Sequence, residues 1–258
     1  MIYDCFPFLN ELDVLEIRLN TLNSVVDFFV IVESTHTFQK NPKPLYFAEN
    51  KARFAEFLPK IIHVVDDSMP LNGDTWITYA HQLNCIHQGL KNAREDDIVS
   101  ISDLDEIFNP LMYKELIYPL EIIFPAMKVF YYFLNCHTGN AVWDCGFITT
   151  RGAIKDLDIY KTRMRKTLEG QQVLNGGWHF SYMGGVDTII EKLQSFSHVE
   201  YNKPDFLDRK RICEYIEQRL SIFEPLGTPS MDIIPIDESF PIFIRENLNK
   251  YVAMGWIL

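Results

Sequence analysis

The stretch DDIVSISDLDEIFNP, residues 96–110, places three carboxylates, Asp103, Asp105 and Glu106, within four positions directly after an apolar run. Acids bunched this closely repel, so something positive is expected among them. A hard divalent cation, Mn2+ or Mg2+, prefers oxygen ligands and would meet that need, with Asp103 and Asp105 converging on it across Leu104. An Asp-x-Asp pair alone is as often a solvated loop or a helix cap; the buried strand expected ahead of it is what gives this pair weight. Ligands of open α/β sheets lie outside the carboxyl ends of the strands, where this pair would fall. Such a pair can hold a nucleoside diphosphate through its metal, which stabilises the charge of the leaving group. No G-x-x-x-x-G-K-[ST] loop and no G-x-G-x-x-G is present, so neither a P-loop NTPase nor a Rossmann dehydrogenase is indicated.

A second stretch, NGGWHFSYMGG, residues 175–185, carries different chemistry. Gly176 and Gly177 permit a close backbone approach, Trp178 offers a flat face on which a sugar could stack, and His179 could complete a metal site or hydrogen-bond a diphosphate. A histidine beside a tryptophan is also a common structural residue. His198 in SFSH is the rival ligand.

The elements that would position these groups alternate. IYDCF, DFFVIVES, IIHVVDD and DIVSISDLDEI read as strands. NELDVLEIRLNTL, AENKARFAEFLPK and DTWITYAHQLNCIHQGLKN read as helices, the first with Asn10 as N-cap, Asp13 in capping-box position and a Leu12–Leu15–Leu19–Leu22 stripe. This rhythm predicts an α/β fold with a mostly parallel mixed sheet flanked by helices. Beyond Pro110, PLMYKELIYPLE reads as a short helix, AMKVFYYFLNC as an aromatic strand, and VWDCGFITTRGAI as an antiparallel element. YKTRMRKTLEGQQVLNGG reads as a mobile loop, and VDTIIEKLQSFS and DFLDRKRICEYIEQRL as helices. One domain over 1–258 is expected, with a nucleotide-type first half at 1–110, a second part at 111–200 and a helical C-terminal region at 201–258.

Bulk properties narrow the classes. With 258 residues, 47% hydrophobic and 14% aromatic, the chain can bury a substantial core. A net charge of -11 argues against nucleic acid or an anionic membrane as partner. Five cysteines without a C-x-x-C pair signal neither a zinc site nor a disulfide framework, and read as reduced thiols. Met1 runs into IYDCFPFLNELD without a basic-then-apolar leader, and no stretch approaches 18 apolar residues, so a soluble, cytoplasmic protein with no transmembrane segment is expected.

IYDCFPFLNELDVLEIRLNTL, VDFFVIVESTHTFQKNPKPLYF, SDLDEIFNP and GGWHFSYMGGVDTIIEKLQSFSH, taken in order, resemble glycosyltransferase family 17, whose best-known members are β-1,4-mannosyl-glycoprotein N-acetylglucosaminyltransferases. The resemblance implies a GT-A-like fold, an inverting mechanism and a UDP-sugar donor, with N-acetylglucosamine as the sugar. The absence of an anchor or stem from the sequence sets the glycoprotein acceptor in doubt and favours a cytosolic glycan or glycolipid.

On this footing Asp105 is the first metal ligand and Asp103 a second ligand or a contact to the donor ribose. Glu106 orients the loop or caps the following helix. Glu33, ending VIVES, stands where the family carries a carboxylate and would contact the nucleoside or simply end the strand in solvent. The family's W-H-x-S pattern points His179 at the metal. An inverting transfer needs a carboxylate to accept the acceptor's proton. Asp187, opening a helix after YMGG, is the preferred base, with Asp144 and Glu191 as competitors. Lys192, Arg163 and Arg165 would neutralise the departing diphosphate, the two arginines from a loop that closes over the donor. Two other classes remain: a haloacid-dehalogenase-type phosphatase with Asp103 as nucleophile, and a non-catalytic carbohydrate-binding protein.

Overall fold

The computed structural model describes residues 1–114, 116, 122–165, 170–224 and 230–258. Among these residues ten strands form one sheet. They are β1 (Ile2–Phe8), β2 (Phe28–Ser34), β3 (Ile61–Asp66), β4 (Ile98–Ile101), β5 (Glu106–Phe108), β6 (Ile123–Tyr131), β7 (Cys136–Trp143), β8 (Phe147–Thr150), β9 (Gln171–Ser181) and β10 (Asp232–Ile233). The path runs β10-β7-β6-β8-β4-β1-β2-β3, with β9 joined to both β5 and β6. β4, β1, β2 and β3 are mutually parallel, whereas β8 enters antiparallel to β4, so the sheet is mixed.

Helices cover both faces: α1 (Leu12–Leu22), α2 (Tyr46–Glu49), α3 (Thr75–Asn84), α4 (Ile86–Gly89), α5 (Pro110–Lys114), α6 (Arg151–Ile154), α7 (Ile159–Arg163), α8 (Gly185–Leu193), α9 (Pro204–Leu207), α10 (Arg209–Gln218), α11 (Ile242–Glu246) and α12 (Leu248–Ala253). Period-two alternation with both faces covered explains why β1 and β2 are mostly apolar and buried almost end to end. Phe6, Phe8, Phe29 and Ile31 face the core beneath α1, α11 and α12, while Tyr3, Cys5, Val30 and Val32 face the one beneath α3, α4, α6 and α7. No helix among the described residues is long and apolar enough to cross a membrane.

Several boundaries differ from those the sequence predicts. Helix α1 starts at Leu12 with Glu11 as N-cap and no side-chain cap bond, so Asn10 does not cap it. The predicted helix over 74–92 divides at Cys85 into α3 and α4. The predicted strand over 97–107 stops at Ile101, and Glu106 begins β5. Glu106 therefore caps nothing; the side chain of Asn109 accepts from the Leu111 N–H at 3.0 Å at the start of α5. The loop predicted over 160–177 contains the end of α7 and the start of β9; residues 166–169 within it lie outside those described.

Candidate functional site

Chain order places the site before any side chain is considered. From β1 the chain moves outward through β2 and β3, then returns to lay β4 on the opposite side of β1. The β1–β4 boundary is thus a topological switch point, where α/β sheets open a crevice at their carboxyl ends. A cavity of about 440 Å³ lies there, walled by Pro7, Phe8 and Leu9 at the end of β1 and by Asp103, Asp105 and Glu106 after β4.

The acidic turn is held from below by a residue that sequence reading overlooked. Arg18 of α1 is fully buried, pairs with Asp4 at 2.7 Å, and donates to the Ser102 hydroxyl and to the carbonyls of Asp103, Leu104 and Glu106 at 2.7–3.1 Å. A charged side chain survives burial only when its donors are filled, and the turn's outward-curving carbonyls fill them. The signal was an arginine inside the leucine stripe of α1, where a solvent-facing residue does not belong.

The positive charge demanded by the three acids is supplied by the protein. Arg163, at the end of α7 and 1% exposed, binds both oxygens of Glu106 at 2.5 and 2.7 Å and Asp103 at 2.7 Å. Lys192 of α8 donates to Asp105 Oδ2 at 2.7 Å. Glu106 also accepts from the Asp103 backbone N–H at 2.8 Å and from the Trp143 indole, so it orients the turn. Tyr79 of α3 donates to Asp103 at 3.1 Å.

These contacts set the proton affinities. Burial pushes Asp103 up to about 6, against the pull of Arg163. Burial also works to raise Asp105 and Glu106, but Lys192 with His179 outweighs it at Asp105, as Arg163 does at Glu106, and both carboxyls lie below their ordinary values. Lys192 is correspondingly raised: its burial is outweighed by Asp105, with Glu11 adding to the effect.

Strand β9 explains a split in the W-H-x-S stretch. His179 is in register with Glu106 and Trp178 with Ile107. Alternation sends His179 and Ser181 to the cavity wall, His179 Nε2 lying 3.5 Å from Asp105 Oδ1. Trp178 turns into the core and donates its indole N–H to the Ser239 carbonyl at 3.0 Å, so it offers no sugar platform. The aromatic residues that do line the cavity include Trp76, Tyr79 and Trp143, the last with its ring 4.9 Å from that of His179. Gly177, at φ 148°, lets β9 lie against β5: a Cβ there would stand 2.1 Å from the Ile107 carbonyl oxygen.

Other expected residues are placed elsewhere. Glu33 is fully buried under α2, accepting from the Phe47 N–H at 2.8 Å beside His63 Nε2 at 3.0 Å; it caps a helix and is not among the cavity-lining residues. Asp187 is 82% exposed and paired with Arg209. It precedes Lys192 by five residues, about 140° around the helix, so it points away when Lys192 points in. Asp144 pairs with Arg165 at 2.6 Å, and neither lines the cavity. Arg163 is a buried helix-end residue, not a loop cation. His198 lines the cavity but is bound to Glu200 at 2.7 Å and stands edge-on to Trp76; neither aspartate is among its partners. Glu191 lies in an adjoining cavity of about 340 Å³ that also reaches Asp105 and Lys192, and Glu11 borders both cavities.

A divalent cation fits the turn under one condition. Three carboxylates against two protein cations leave about one negative charge, and Asp105 Oδ1 is the loosest held of their oxygens, its described partner being His179 Nε2 at 3.5 Å. His179 Nδ1 is buried without a partner among the described residues. A doubly charged ion alone would overshoot this balance; arriving with a diphosphate, it would not.

A cavity with paired acids and buried cations lies here at the switch point of a mixed α/β sheet, the position at which α/β folds bind their ligands. The sequence profile of glycosyltransferase family 17 matches residues 1–230, and the chain belongs to that family. Over 106 residues it is 36% identical to human β-1,4-mannosyl-glycoprotein 4-β-N-acetylglucosaminyltransferase and, equally, to the rat enzyme of that name. The match covers 38% of this chain but only 20% of either relative. Among solved structures, HddC from Yersinia pseudotuberculosis aligns with a TM-score of 0.41 and 12% identity over 69% of this chain and 90% of that one. Glucosyl-3-phosphoglycerate synthase from Mycobacterium tuberculosis gives 0.38 and 15%, over 69% and 70%.

Proposed function

We propose that this chain is a glycosyltransferase that moves N-acetylglucosamine from UDP-N-acetylglucosamine, with inversion, to a hydroxyl of a glycan or glycolipid, on a GT-A-like scaffold. Family membership and the activity for which the partial relatives are named support the reaction class. The observation that carries the site assignment is the acidic turn after β4, braced by Arg18 and facing Lys192 and His179 in an aromatic-walled cavity.

Each residue has a part that follows from its position. Trp76, Tyr79 and Trp143 supply flat apolar surface for the uracil and the sugar. Lys192, held protonated by Asp105, meets the diphosphate and stays charged as the leaving group gains charge. Arg163 stays with Glu106 and keeps the turn in shape. Asp105, Asp103 and His179 would hold Mn2+ or Mg2+, which neutralises diphosphate charge when bound. Of the three acids expected to take the acceptor's proton, Glu191 alone shares a cavity with Asp105, so the proposal assigns it that role. The five cysteines are unpaired, which supports a reducing, cytoplasmic setting.

The decisive experiment is a hydrolysis and thermal-shift screen over UDP-sugars with and without Mn2+. UDP and Mn2+ together should raise the melting temperature by more than the sum of their separate effects, and UDP-N-acetylglucosamine should be the donor consumed. A chain indifferent to both at millimolar concentration refutes the proposal.

A further inference from the structure

A second cluster lies at the edge of the sheet, where the end of β3 meets the last turn of α3. Asp66, His81 and Cys85 each offer a ligand atom within 4.8 Å of the others, and none of the three lines the cavities described above. His81 and Cys85 are four residues apart and so share one helix face.

The geometry distinguishes two kinds of chemistry. A nucleophilic Cys-His-Asp relay needs the imidazole to hold the thiol on one ring nitrogen and the carboxylate on the other. Here both lie against the same atom: His81 Nε2 is 3.1 Å from Asp66 Oδ1 and 3.7 Å from Cys85 Sγ. Nothing can be relayed, but three donors converge. Thiolate, imidazole and carboxylate form a donor set suited to zinc, a borderline-soft ion.

A separate observation points to a ligand. Asp66 is 1% exposed, yet its Oδ2 is buried without a hydrogen-bond partner among the described residues, which a cation in the cluster would compensate. The Ser68 hydroxyl, 3.0 Å from Asp66 Oδ1 and 3.4 Å from His81 Nε2, borders the same space. His81 is 30% exposed at its side chain, which gives an ion a route from solvent.

We propose that Asp66, His81 and Cys85 form a binding site for a divalent transition-metal ion of the zinc class, with the fourth position open to water. Binding takes Cys85 as thiolate, its proton passing to solvent, and the imidazole as the Nδ1–H tautomer with the Nε2 lone pair on the ion. The ion would fasten α3 to the end of β3, and α3 carries Trp76 and Tyr79 into the cavity wall.

The test is titration of the full, metal-stripped chain with Co2+, followed by displacement with Zn2+. One equivalent should bind with a sulfur-to-cobalt charge-transfer band, and Zn2+ should abolish the band and raise the melting temperature. Cys85→Ser should lose the band, whereas Asp105→Asn should keep it, separating this site from the acidic turn. Should Cys85→Ser fail to fold, as judged by circular dichroism, loss of the band in His81→Gln serves the same purpose. A wild-type chain without the band at saturating Co2+, or a band that persists in Cys85→Ser or His81→Gln, overturns the proposal.

Discussion

Replacing Arg163 by Met removes the cation that neutralises two acids at once. Glu106 is fully buried and Arg163 nearly so, which places the pair where loss of one partner leaves an uncompensated charge. Such losses typically cost about 3–5 kcal/mol. Glu106 retains the Trp143 indole and the Asp103 N–H, so the lower end, about 3 kcal/mol, is expected. For a chain of this size that corresponds to a fall in melting temperature of roughly 6–12 °C. The contribution of Glu106 to the pH dependence should change sign, on top of the stability that Asp103, pushed up to about 6, already returns to the wild type as pH falls. In the wild type Glu106 lies below its ordinary 4.5, so its contribution is present above that value and is lost as pH falls through the lower folded one. In Arg163→Met, burial without the neutralising cation raises Glu106, and the variant gains stability as pH falls from 7 toward 5. The double variant Arg163→Met/Glu106→Gln removes both charges and should recover most of the loss. Denaturant melts at pH 7 and pH 5 give all these quantities. A loss below about 1 kcal/mol, the range of an exposed pair, would refute the reasoning, as would a double variant no more stable than the single one.

Further expectations follow from the same contacts. Arg18→Lys, which cannot reach Asp4, Ser102 and three carbonyls at once, should weaken binding of UDP with Mn2+, read by calorimetry; unchanged affinity would mean that Arg18 does not shape the turn. Asp105→Asn should abolish sugar transfer while Asp187→Asn leaves the rate unaltered, since Asp187 is paired with Arg209 at the surface; a dead Asp187→Asn would restore it as base. Asp103, pushed up to about 6, should lower nucleotide–metal affinity by about tenfold between pH 7 and pH 5, and Asp103→Asn should remove that dependence. Gly177→Ala should destabilise the chain by about 1–3 kcal/mol, because its Cβ meets the β5 backbone at a φ that alanine resists; a silent substitution would show that the β5–β9 register can shift.

Period-two and helical patterns were enough to find the layered α/β arrangement, because both reflect which side of an element is buried. They also put Asp103 and Asp105 at the end of a buried strand. What patterns could not show was the partner of each charge. Asp187, Lys192 and Glu191 lie on one short helix and look equivalent in the sequence, yet rotation about its axis sends only Lys192 to Asp105. Trp178 and His179 are adjacent, and alternation alone decides that the imidazole, not the indole, faces the cavity.

By itself, the sequence determined that a run of acids ends a central strand and must be neutralised, since charge and hydrophobic order are local properties. Only the tertiary structure decided that Arg163 and Lys192, 57 and 87 residues away from their carboxylates along the chain, do the neutralising. Likewise it alone gathered Asp66, His81 and Cys85, whose spacing fits no metal motif. Long-range pairing depends on how elements stack and turn, and no window of neighbouring residues contains that information.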